Sequence, residues 1–399
     1  MTKRICFCWE LGGGLGHLGP FQPLARRLVA AGHAVQVIVK DLSRLRPAFR
    51  DIPIEAYQAP IKTSPAVPYL QNPPTLGHIL LNKGYRDANE LASMSQAWRN
   101  LFQRLQPDLI LCDHAPTALL AARGLSAAKA TIGPGFFCPP NENPLPNMSP
   151  LRDMPLPQRA ADEAALLRTI NLALRQNRQP ELETVAQLFH DVDRNFFCTF
   201  RELDHYPQRQ NASYFGAWSA EMPRAELAGW PTGAGQKIFA YLKPMKALDE
   251  LIRWLYGRKL PTVLVGDRID FGAYRQWSQG SVRFYERPIQ LDGVRRECDV
   301  AILNGNHGAA CEFLLAGVPT LQIPITFEQG ILTQRIVDTG SALFASPENG
   351  RQVIGQLSAL LESTSAKVAA QQFATKYQDF SQQQGAERLC QQLFHLLGC

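Results

Sequence analysis

The first hundred residues alternate short apolar runs with amphipathic helical patterns. The apolar run RICFCWEL precedes a glycine-rich turn, the helical stretch PFQPLARRLVAAGH and a second apolar run, AVQVIVKDL. A helix that Pro20 opens and Gly32 closes, between two runs of strand length, predicts a βαβ unit. Strands joined by such crossovers run parallel, so the pattern predicts a parallel sheet.

The alternation starts afresh in the second half of the chain. Strand-like runs KIFAYL, PTVLVG, SVRFYE and VAILN alternate with helical stretches, after a segment rich in Ala, Gly and Pro. We therefore predict an α/β protein with two Rossmann-like domains. The predicted bounds are 1–218 for the first domain, 219–235 for a linker and 236–379 for the second domain, with a final helix at about 380–399 that packs back on the first.

A Gly/Pro-dense segment, 133–157, interrupts the alternation in the first half. It begins GPGFFCPP and is too long and too broken for a regular element. Long loops of this kind commonly border binding sites. We expect Phe136 and Phe137, together with the region from Pro60 to Tyr85, to form walls of such a site. Burial of the two rings under the loop is the alternative.

Composition narrows the possible partners. The chain has 399 residues, of which 45% are hydrophobic and 19% charged, as in an ordinary globular protein. Lys and Arg total 41 against 35 Asp and Glu, a net charge of +6 without a basic block. This balance favours an anionic ligand weakly, and nucleic acid is not expected. The nine cysteines include no Cys-x-x-Cys pair, which indicates a reducing, cytoplasmic location without disulfides or structural zinc.

The sequence gives little indication of a membrane-spanning helix or of a metal-binding site. No apolar run approaches the ~20 residues of a membrane-spanning helix. The helical stretch from Tyr85 to Leu105 carries three arginines among apolar residues, which leaves contact with a membrane surface open. Asp191 and Asp193 lie at the end of a helical pattern and do not share a helix face, so neither a metal nor another cofactor is expected.

The first glycine-rich turn matches a nucleotide-binding spacing. Gly14, Gly16 and Gly19 follow a strand in the G-x-G-x-x-G spacing that is typical of dinucleotide sites, and Asp41 is a candidate ribose ligand. A tight strand-to-helix turn of any function also favours glycine. A NAD(P)-dependent oxidoreductase therefore stays open as an alternative.

The same turn contains His17, and Asp113 ends the apolar run PDLILCD. Because the carboxyl ends of parallel strands meet at one edge, we expect the two side chains to lie close together. A helix N-terminus would keep His17 neutral and able to accept a proton, and Asp113 would stabilise the charge that forms. The alternatives are a polar turn residue for His17 and a helix N-cap for Asp113. His114 is expected to point the other way.

In the second half, the segment VAILNGNHGAACEFLLAGVP places a polar turn between a buried strand and a helix. The helix start offers N–H groups flanked by small side chains, which suits a diphosphate. The expected anion-binding residues are Asn304, Asn306, His307, Gly308, Ala309 and Ala310, with Lys243 from a neighbouring strand end. Helix capping by Asn306 and a solvent-exposed Lys243 are the alternatives.

Two segments carry a resemblance to a known family. GLGHLGPFQPLARRLVAAGHAV and HGAACEFLLAGVPTLQIPITFEQGILTQRIVDTG resemble the N-terminal turn and the donor motif of bacterial GT-B nucleotide-sugar glycosyltransferases near glycosyltransferase family 1. The resemblance implies the GT-B fold, in which two Rossmann-like domains face each other across a cleft. It also implies that His17 is the general base with Asp113 as its partner, that Glu312 holds the ribose, and that Glu328 and Gln329 bind the sugar hydroxyls.

Two positions depart from the family pattern. The usual phosphate-binding histidine falls on Asn304, and Arg287 lies nearest to where a base-stacking tryptophan often occurs. The base of the nucleotide therefore stays open between uridine, thymidine and others.

The function that the resemblance implies is inverting, metal-independent transfer of a sugar from a nucleoside diphosphate-sugar to a hydroxyl of a small-molecule or lipid acceptor. Gly16, Phe136 and Phe137 would contact the acceptor. A sugar-nucleotide epimerase and a non-catalytic nucleotide-sugar binding protein of the same fold are further alternatives.

Overall fold

The computed structural model describes residues 2–14, 16–148, 153–219, 226–278 and 280–399. The chain divides into two compact units: Met1–Ala220 with Ser381–Cys399, and Glu221–Phe380. Each unit is built around one six-stranded sheet.

The first unit alternates strands and helices. Its strands are β1 (Arg4–Trp9), β2 (Ala34–Val39), β3 (Glu55–Gln58), β4 (Leu109–Asp113), β5 (Ala128–Gly133) and β6 (Arg194–Phe197). Its helices are α1 (Gln22–Ala30), α2 (Leu45–Phe49), α3 (Leu76–Leu81), α4 (Ala88–Leu105), α5 (Pro116–Ala122), α6 (Leu156–Gln176) and α7 (Gln187–His190), with 3₁₀ turns at Leu42–Arg44 and Arg201–Leu203. The strand order is β3-β2-β1-β4-β5-β6, and every paired neighbour is parallel.

The second unit repeats this plan. Its strands are β7 (Glu226–Leu227), β8 (Ile238–Leu242), β9 (Thr262–Gly266), β10 (Val282–Tyr285), β11 (Ile289–Gln290), β12 (Val300–Leu303), β13 (Thr320–Gln322) and β14 (Ala342–Phe344). Its helices are α8 (Leu248–Gly257), α9 (Leu291–Glu297), α10 (His307–Leu315), α11 (Phe327–Asp338), α12 (Gly350–Glu362) and α13 (Thr364–Lys376), with a 3₁₀ helix at Phe271–Trp277. The sheet order is β10-β9-β8-β12-β13-β14, again parallel, and β7 pairs with β11.

The central strands are apolar because helices cover both faces of each sheet. Residues Ile5 to Trp9 of β1 are fully buried, as are Leu109 to Cys112 of β4. The predicted α/β class with two parallel sheets is confirmed.

The last helix, α14 (Gln382–Leu397), belongs to the first unit. Its apolar side chains, among them Leu389 and Leu393, are buried in the same hydrophobic cluster as Leu24 and Leu28 of α1. Burial of this stripe removes the apolar face of α14 from water. No helix in the described ranges is both long enough and apolar enough to cross a membrane.

The start of α1 differs from the sequence prediction. The helix begins at Gln22 and has Pro23, not Pro20, in its first turn. Residues 16–21 form an irregular turn before it. Pro is favoured at either position by the same rule, because the first helical residues need no N–H donor, so the pattern alone did not locate the start of the helix.

The predicted long loop is shorter than expected, because α6 already begins at Leu156. Residues 149–152 of the loop lie outside the described ranges. The preceding part is fastened to α6: Glu163 Oε2 accepts a hydrogen bond from the Leu145 N–H at 2.6 Å, and Arg159 Nη1 donates to the Leu145 carbonyl at 3.0 Å. Oε1 of Glu163 has no hydrogen-bond partner among the described residues. Burial raises the pKa of Glu163 from its ordinary value of 4.5 to about 7.

We expect Glu163→Gln to stabilise the protein near pH 8 and to leave its stability unchanged below about pH 4.5. The raised pKa means that ionising Glu163 costs the folded state free energy, and this cost grows as the pH rises from 4.5 towards 7. The uncharged glutamine avoids that cost and keeps an acceptor for the Leu145 N–H. The measurement is the melting temperature of both proteins between pH 4 and 8. Glu142→Gln, at an exposed position of the same loop, is the control, and a gain for Glu163→Gln that is equal at every pH would contradict the prediction.

Candidate active site

The carboxyl edge of the first sheet brings together His17 and Asp113. In the register of β1 and β4, Trp9 lies beside Asp113 at the last paired position. Asp113 is 2% exposed, and its Oδ1 lies 3.0 Å from Nδ1 of His17. Burial raises the pKa of Asp113, and the adjacent His17 opposes that rise. The sequence prediction that these two side chains meet agrees with the geometry.

The orientation of His17 follows from its neighbours. When Asp113 is ionised its carboxylate can only accept, and the proton of this hydrogen bond then lies on Nδ1 of His17. The His17 ring stacks on Trp9 with centroids 5.1 Å apart. The edge of the ring that carries Nε2 lies against Gly12, whose φ of +78° favours glycine and whose Cβ, if present, would overlap Nε2. Lys40 Nζ donates to the Gly12 carbonyl at 2.8 Å and so helps to hold this turn. The arrangement anchors His17 through Nδ1 and places its Nε2 edge at the turn around Gly12.

The sequence predicts that a helix N-terminus keeps His17 neutral, but His17 does not lie at one. The helix dipole acts within the first turn of a helix, and α1 begins at Gln22, five positions after His17. His17 therefore does not lie at the start of α1, and its partner Asp113 is what orients it.

The prediction that His114 points away is wrong. His114 has a φ of +47°, outside the strand region, and its carbonyl accepts the Leu11 N–H at 2.9 Å. This left-handed conformation ends the alternation of β4, and the His114 ring lies 6.0 Å from the His17 ring. The strand rule fails here because the backbone leaves the strand one residue after Asp113.

The candidate acceptor residues differ in exposure. Gly16 is exposed. Phe136 and Phe137 are buried, at 3% and 4% exposure. Phe137 stacks on His114 with centroids 4.9 Å apart, and Phe136 meets the same ring edge-on at 5.8 Å. The sequence left open whether the two rings contact an acceptor or are buried under the loop, and in the structure they are buried.

At the carboxyl edge of the second sheet, Asn304 joins three strand ends. Its Oδ1 accepts the Lys243 N–H after β8, and its Nδ2 donates to the Ile323 carbonyl after β13, both at 2.7 Å. Asn304 is completely buried. Because both ends of this buried amide bond to the backbone, Asn304 holds the turn in place and does not contact a ligand. The predicted direct contact between Asn304 and a phosphate is therefore wrong.

Helix α10 starts directly after this turn. Asn306 is its N-cap but makes no side-chain capping bond, so the capping alternative is not observed. Helix geometry leaves the N–H groups of Gly308 and Ala309 without an intrahelical acceptor. The Ala310 N–H, by contrast, donates to the Asn306 carbonyl at 2.9 Å. The Ala310 N–H is therefore not available to a ligand. The predicted anion-binding N–H groups at this helix start are limited to the residues before Ala310.

Helix α11 packs against the same turn. Gly305 has a φ of +71°, and a Cβ there would lie 2.9 Å from the Gln329 Cβ. The Gln329 amide oxygen accepts the N–H groups of Ile325 and Thr326 at 3.0 and 3.2 Å, and its Nε2 donates to Asn306 Oδ1 at 2.9 Å. These bonds make Gln329 a tie between α11 and the turn, whereas the sequence expectation was contact with sugar hydroxyls.

The remaining donor candidates lie around α10. Glu312 is 7% exposed, and its Oε2 accepts Arg295 Nη1 at 2.8 Å. Lys243 Nζ lies 3.6 Å from Asp267 Oδ2. His307 Nε2 lies 3.8 Å from the Cys311 thiol. Glu328 is partly exposed, and Arg287 is exposed in the turn between β10 and β11.

Sequence reasoning missed two residues of these sites. Arg295 lies 17 positions before Glu312, and no periodicity connects α9 with α10. His114 was set aside by the strand rule, and its positive φ has no signal in the sequence. Both contacts depend on elements that meet only in the folded chain.

In the described residues, the structure does not show the geometry that a dinucleotide site at the first glycine-rich turn would need. Gly19 is followed by further turn residues and not by the first turn of α1. Asp41, the candidate ribose ligand, instead caps a short 3₁₀ turn by accepting the Ser43 N–H at 3.1 Å.

Comparisons with known proteins bear on the fold. No protein-family model matches the sequence, and no curated protein matches it significantly. Among solved structures, the glycotransferase of kitacinnamycin matches with a TM-score of 0.71 and 18% identity over 99% of both chains. CalG4, the calicheamicin glycosyltransferase, matches with a TM-score of 0.69 and 14% identity over 100% of this chain and 98% of that one.

A third solved structure contains a nucleotide. The glycosyltransferase SsfS6 of Streptomyces sp. SF2575, complexed with thymidine diphosphate, matches with a TM-score of 0.61 and 16% identity over 98% of this chain and 100% of that one. Matches at such low identity establish architecture. The predicted resemblance is confirmed at that level: this chain has the two-unit α/β GT-B fold of these glycosyltransferases.

Proposed function

We propose that the protein is an inverting glycosyltransferase that moves a sugar from a nucleoside diphosphate-sugar to a hydroxyl of a small-molecule or lipid acceptor. The fold shared with glycosyltransferases supports the reaction class. The observation that carries the proposal is the buried pair of His17 and Asp113, 3.0 Å apart at the carboxyl edge of the first sheet.

The proposed step is a direct displacement. The acceptor hydroxyl gives its proton to Nε2 of His17 while its oxygen attacks the anomeric carbon, and the bond from that carbon to the diphosphate breaks. One displacement inverts the configuration of the sugar. Asp113 would stabilise the imidazolium that forms, because its ionised carboxylate, 3.0 Å from Nδ1, would accept the Nδ1 proton. A positioned general base contributes about 10²- to 10⁴-fold to the rate.

The second unit would hold the donor at the start of α10. The first N–H groups of a helix and its partial positive charge favour a diphosphate there. Gly308 and Ala309 supply such groups, and their small side chains allow close approach. Lys243 would add a cation that offsets charge on the leaving diphosphate.

Glu312 is the proposed ligand of the ribose. Arg295 donates to Oε2 of Glu312 at 2.8 Å, which holds the carboxylate in one orientation. Glu328 is the proposed ligand of the sugar hydroxyls. This scheme uses helix N–H groups and Lys243 for charge and no metal, so transfer is expected to persist in a chelator.

The identity of the donor nucleotide can be tested by measuring which nucleoside diphosphates bind to the protein. Uridine and thymidine diphosphates and their sugars are added separately, and the melting temperature is measured. Ligands that bind the folded state raise it by mass action. A rise with one of these nucleotides supports the donor class and identifies the base. No rise with any nucleoside diphosphate would overturn the proposal.

We expect His17→Ala to lower kcat about 10²- to 10⁴-fold, because it removes the base, and to leave nucleoside diphosphate affinity unchanged. The readouts are product formation and calorimetric titration on the same preparation. His395→Ala, at an exposed position of α14, is the matched control. Turnover by His17→Ala equal to that of the control would exclude His17 as the base.

We expect Ala309→Asp to weaken nucleoside diphosphate binding about tenfold or more, since a carboxylate in the first turn of α10 opposes the diphosphate. The same charge favours the helix by about 0.3–1 kcal/mol, so stability should not fall. Ala309→Asn has the same shape without charge and should bind far better than Ala309→Asp. Calorimetric titration of both variants measures the difference, and equal affinities would remove the start of α10 from the donor site.

A further inference from the structure

His114 is an unusual residue for its position. It is 5% exposed, and within the described residues neither of its ring nitrogens has a hydrogen-bond partner. Its backbone has a positive φ of +47°, which non-glycine residues adopt at a cost. A phenylalanine would fill the same space beside Phe136 and Phe137 without burying two unpaired polar atoms. The positive φ is one that histidine tolerates better than phenylalanine does, but neither the backbone nor the packing accounts for two buried nitrogens without partners in the described part of the chain.

The polar side of His114 faces the proposed base. His114 Nδ1 and His17 Nε2 both lie within 3.4 Å of one point, the place that a Cβ of Gly12 would take. Gly12 itself is exposed. That place adjoins the Gly12 Cα and lies closer to His17 Nε2 than a hydrogen-bonded oxygen would, so an oxygen that bonds both nitrogens at about 2.7–3.2 Å lies farther from Gly12.

Burial, reinforced by nearby positive charge, keeps His114 a neutral hydrogen-bonding group. Burial lowers the pKa of His114 well below its usual range, and the nearby His17, Lys83 and Lys40 lower it further. Asp113, its chain neighbour, is engaged by His17. A neutral imidazole carries one N–H donor and one acceptor.

We propose that His114 is an acceptor-binding residue: its Nδ1–H donates to the oxygen of the same hydroxyl whose proton goes to His17 Nε2. This role rests on the proposed function. The hydroxyl then uses one lone pair for His114, keeps the other for the anomeric carbon, and directs its O–H at His17. His114 neither gains nor loses a proton in the step. Because residue 12 is a glycine, no side chain occupies the place beside the two nitrogens. Nδ1 of His114 is buried, so the acceptor hydroxyl reaches it only when the turn around Gly12 shifts.

The test compares His114→Phe with His114→Asn. Phenylalanine keeps the ring stacked on Phe137 and removes both nitrogens. Asparagine places an amide donor near the former Nδ1, and it is one of the residues that tolerate a positive φ. His205→Phe is the matched control, because His205 is another buried imidazole that packs on Phe136, at 5.3 Å.

Kinetics use a uridine or thymidine diphosphate sugar with a panel of phenols and primary alcohols, read as release of the nucleoside diphosphate. We expect His114→Phe to lower kcat/KM for the acceptor about tenfold, with donor KM unchanged. His114→Asn should recover part of the loss, and His205→Phe should match the wild type.

Three outcomes would overturn the role. Wild-type acceptor kinetics in His114→Phe would show that the ring only packs. An equal loss in His205→Phe would assign the effect to the aromatic cluster. A wild type that binds no nucleoside diphosphate and turns over no acceptor would overturn the proposed function and this role with it, whereas the first two outcomes leave the proposed function standing.

Discussion

A parallel sheet delivers the last residues of neighbouring strands to one edge, and this constraint places the candidate site residues of both units. In the first unit the paired ends of β1 and β4 bring Trp9 and Asp113 side by side, and the turn after β1 then carries His17 back over them. In the second unit the ends of β8, β12 and β13 converge on the amide of Asn304. Each site is thus built on strands whose apolar residues are buried and whose positions are set by the ladder of backbone hydrogen bonds.

The two sites treat buried polar groups in opposite ways. Asn304 is fully buried with both ends of its amide engaged, so it rigidifies the turn that precedes α10. His114 is almost as deeply buried and has neither nitrogen engaged among the described residues. A satisfied buried amide is an ordinary means of fixing a loop, whereas an unsatisfied imidazole beside a histidine–aspartate pair lowers stability unless a ligand compensates it.

The relation to known glycosyltransferases resides in architecture more than in sequence. Identities of 14% to 18% accompany alignment over nearly the entire length of both chains. A buried strand tolerates many apolar residues as long as volume and pattern persist, so the fold survives extensive substitution. Asn304 and Arg287, by contrast, lie in turns at the strand ends, where sequence varies more freely than in the buried strands.

The amino-acid sequence by itself determined the α/β class, the parallel sheets, and the pairing of His17 with Asp113, because strand and helix periodicity are local and the carboxyl edge follows from them. The sequence did not determine that α1 starts at Gln22, because Pro20 and Pro23 suit a first helical turn equally well. Only the tertiary structure decided that His114 turns towards His17, that Gln329 and Asn304 are consumed by backbone groups, and that Arg295 meets Glu312. These contacts depend on a single left-handed dihedral angle or on helices packed together from distant parts of the chain, and neither leaves a periodic trace in the order of residues.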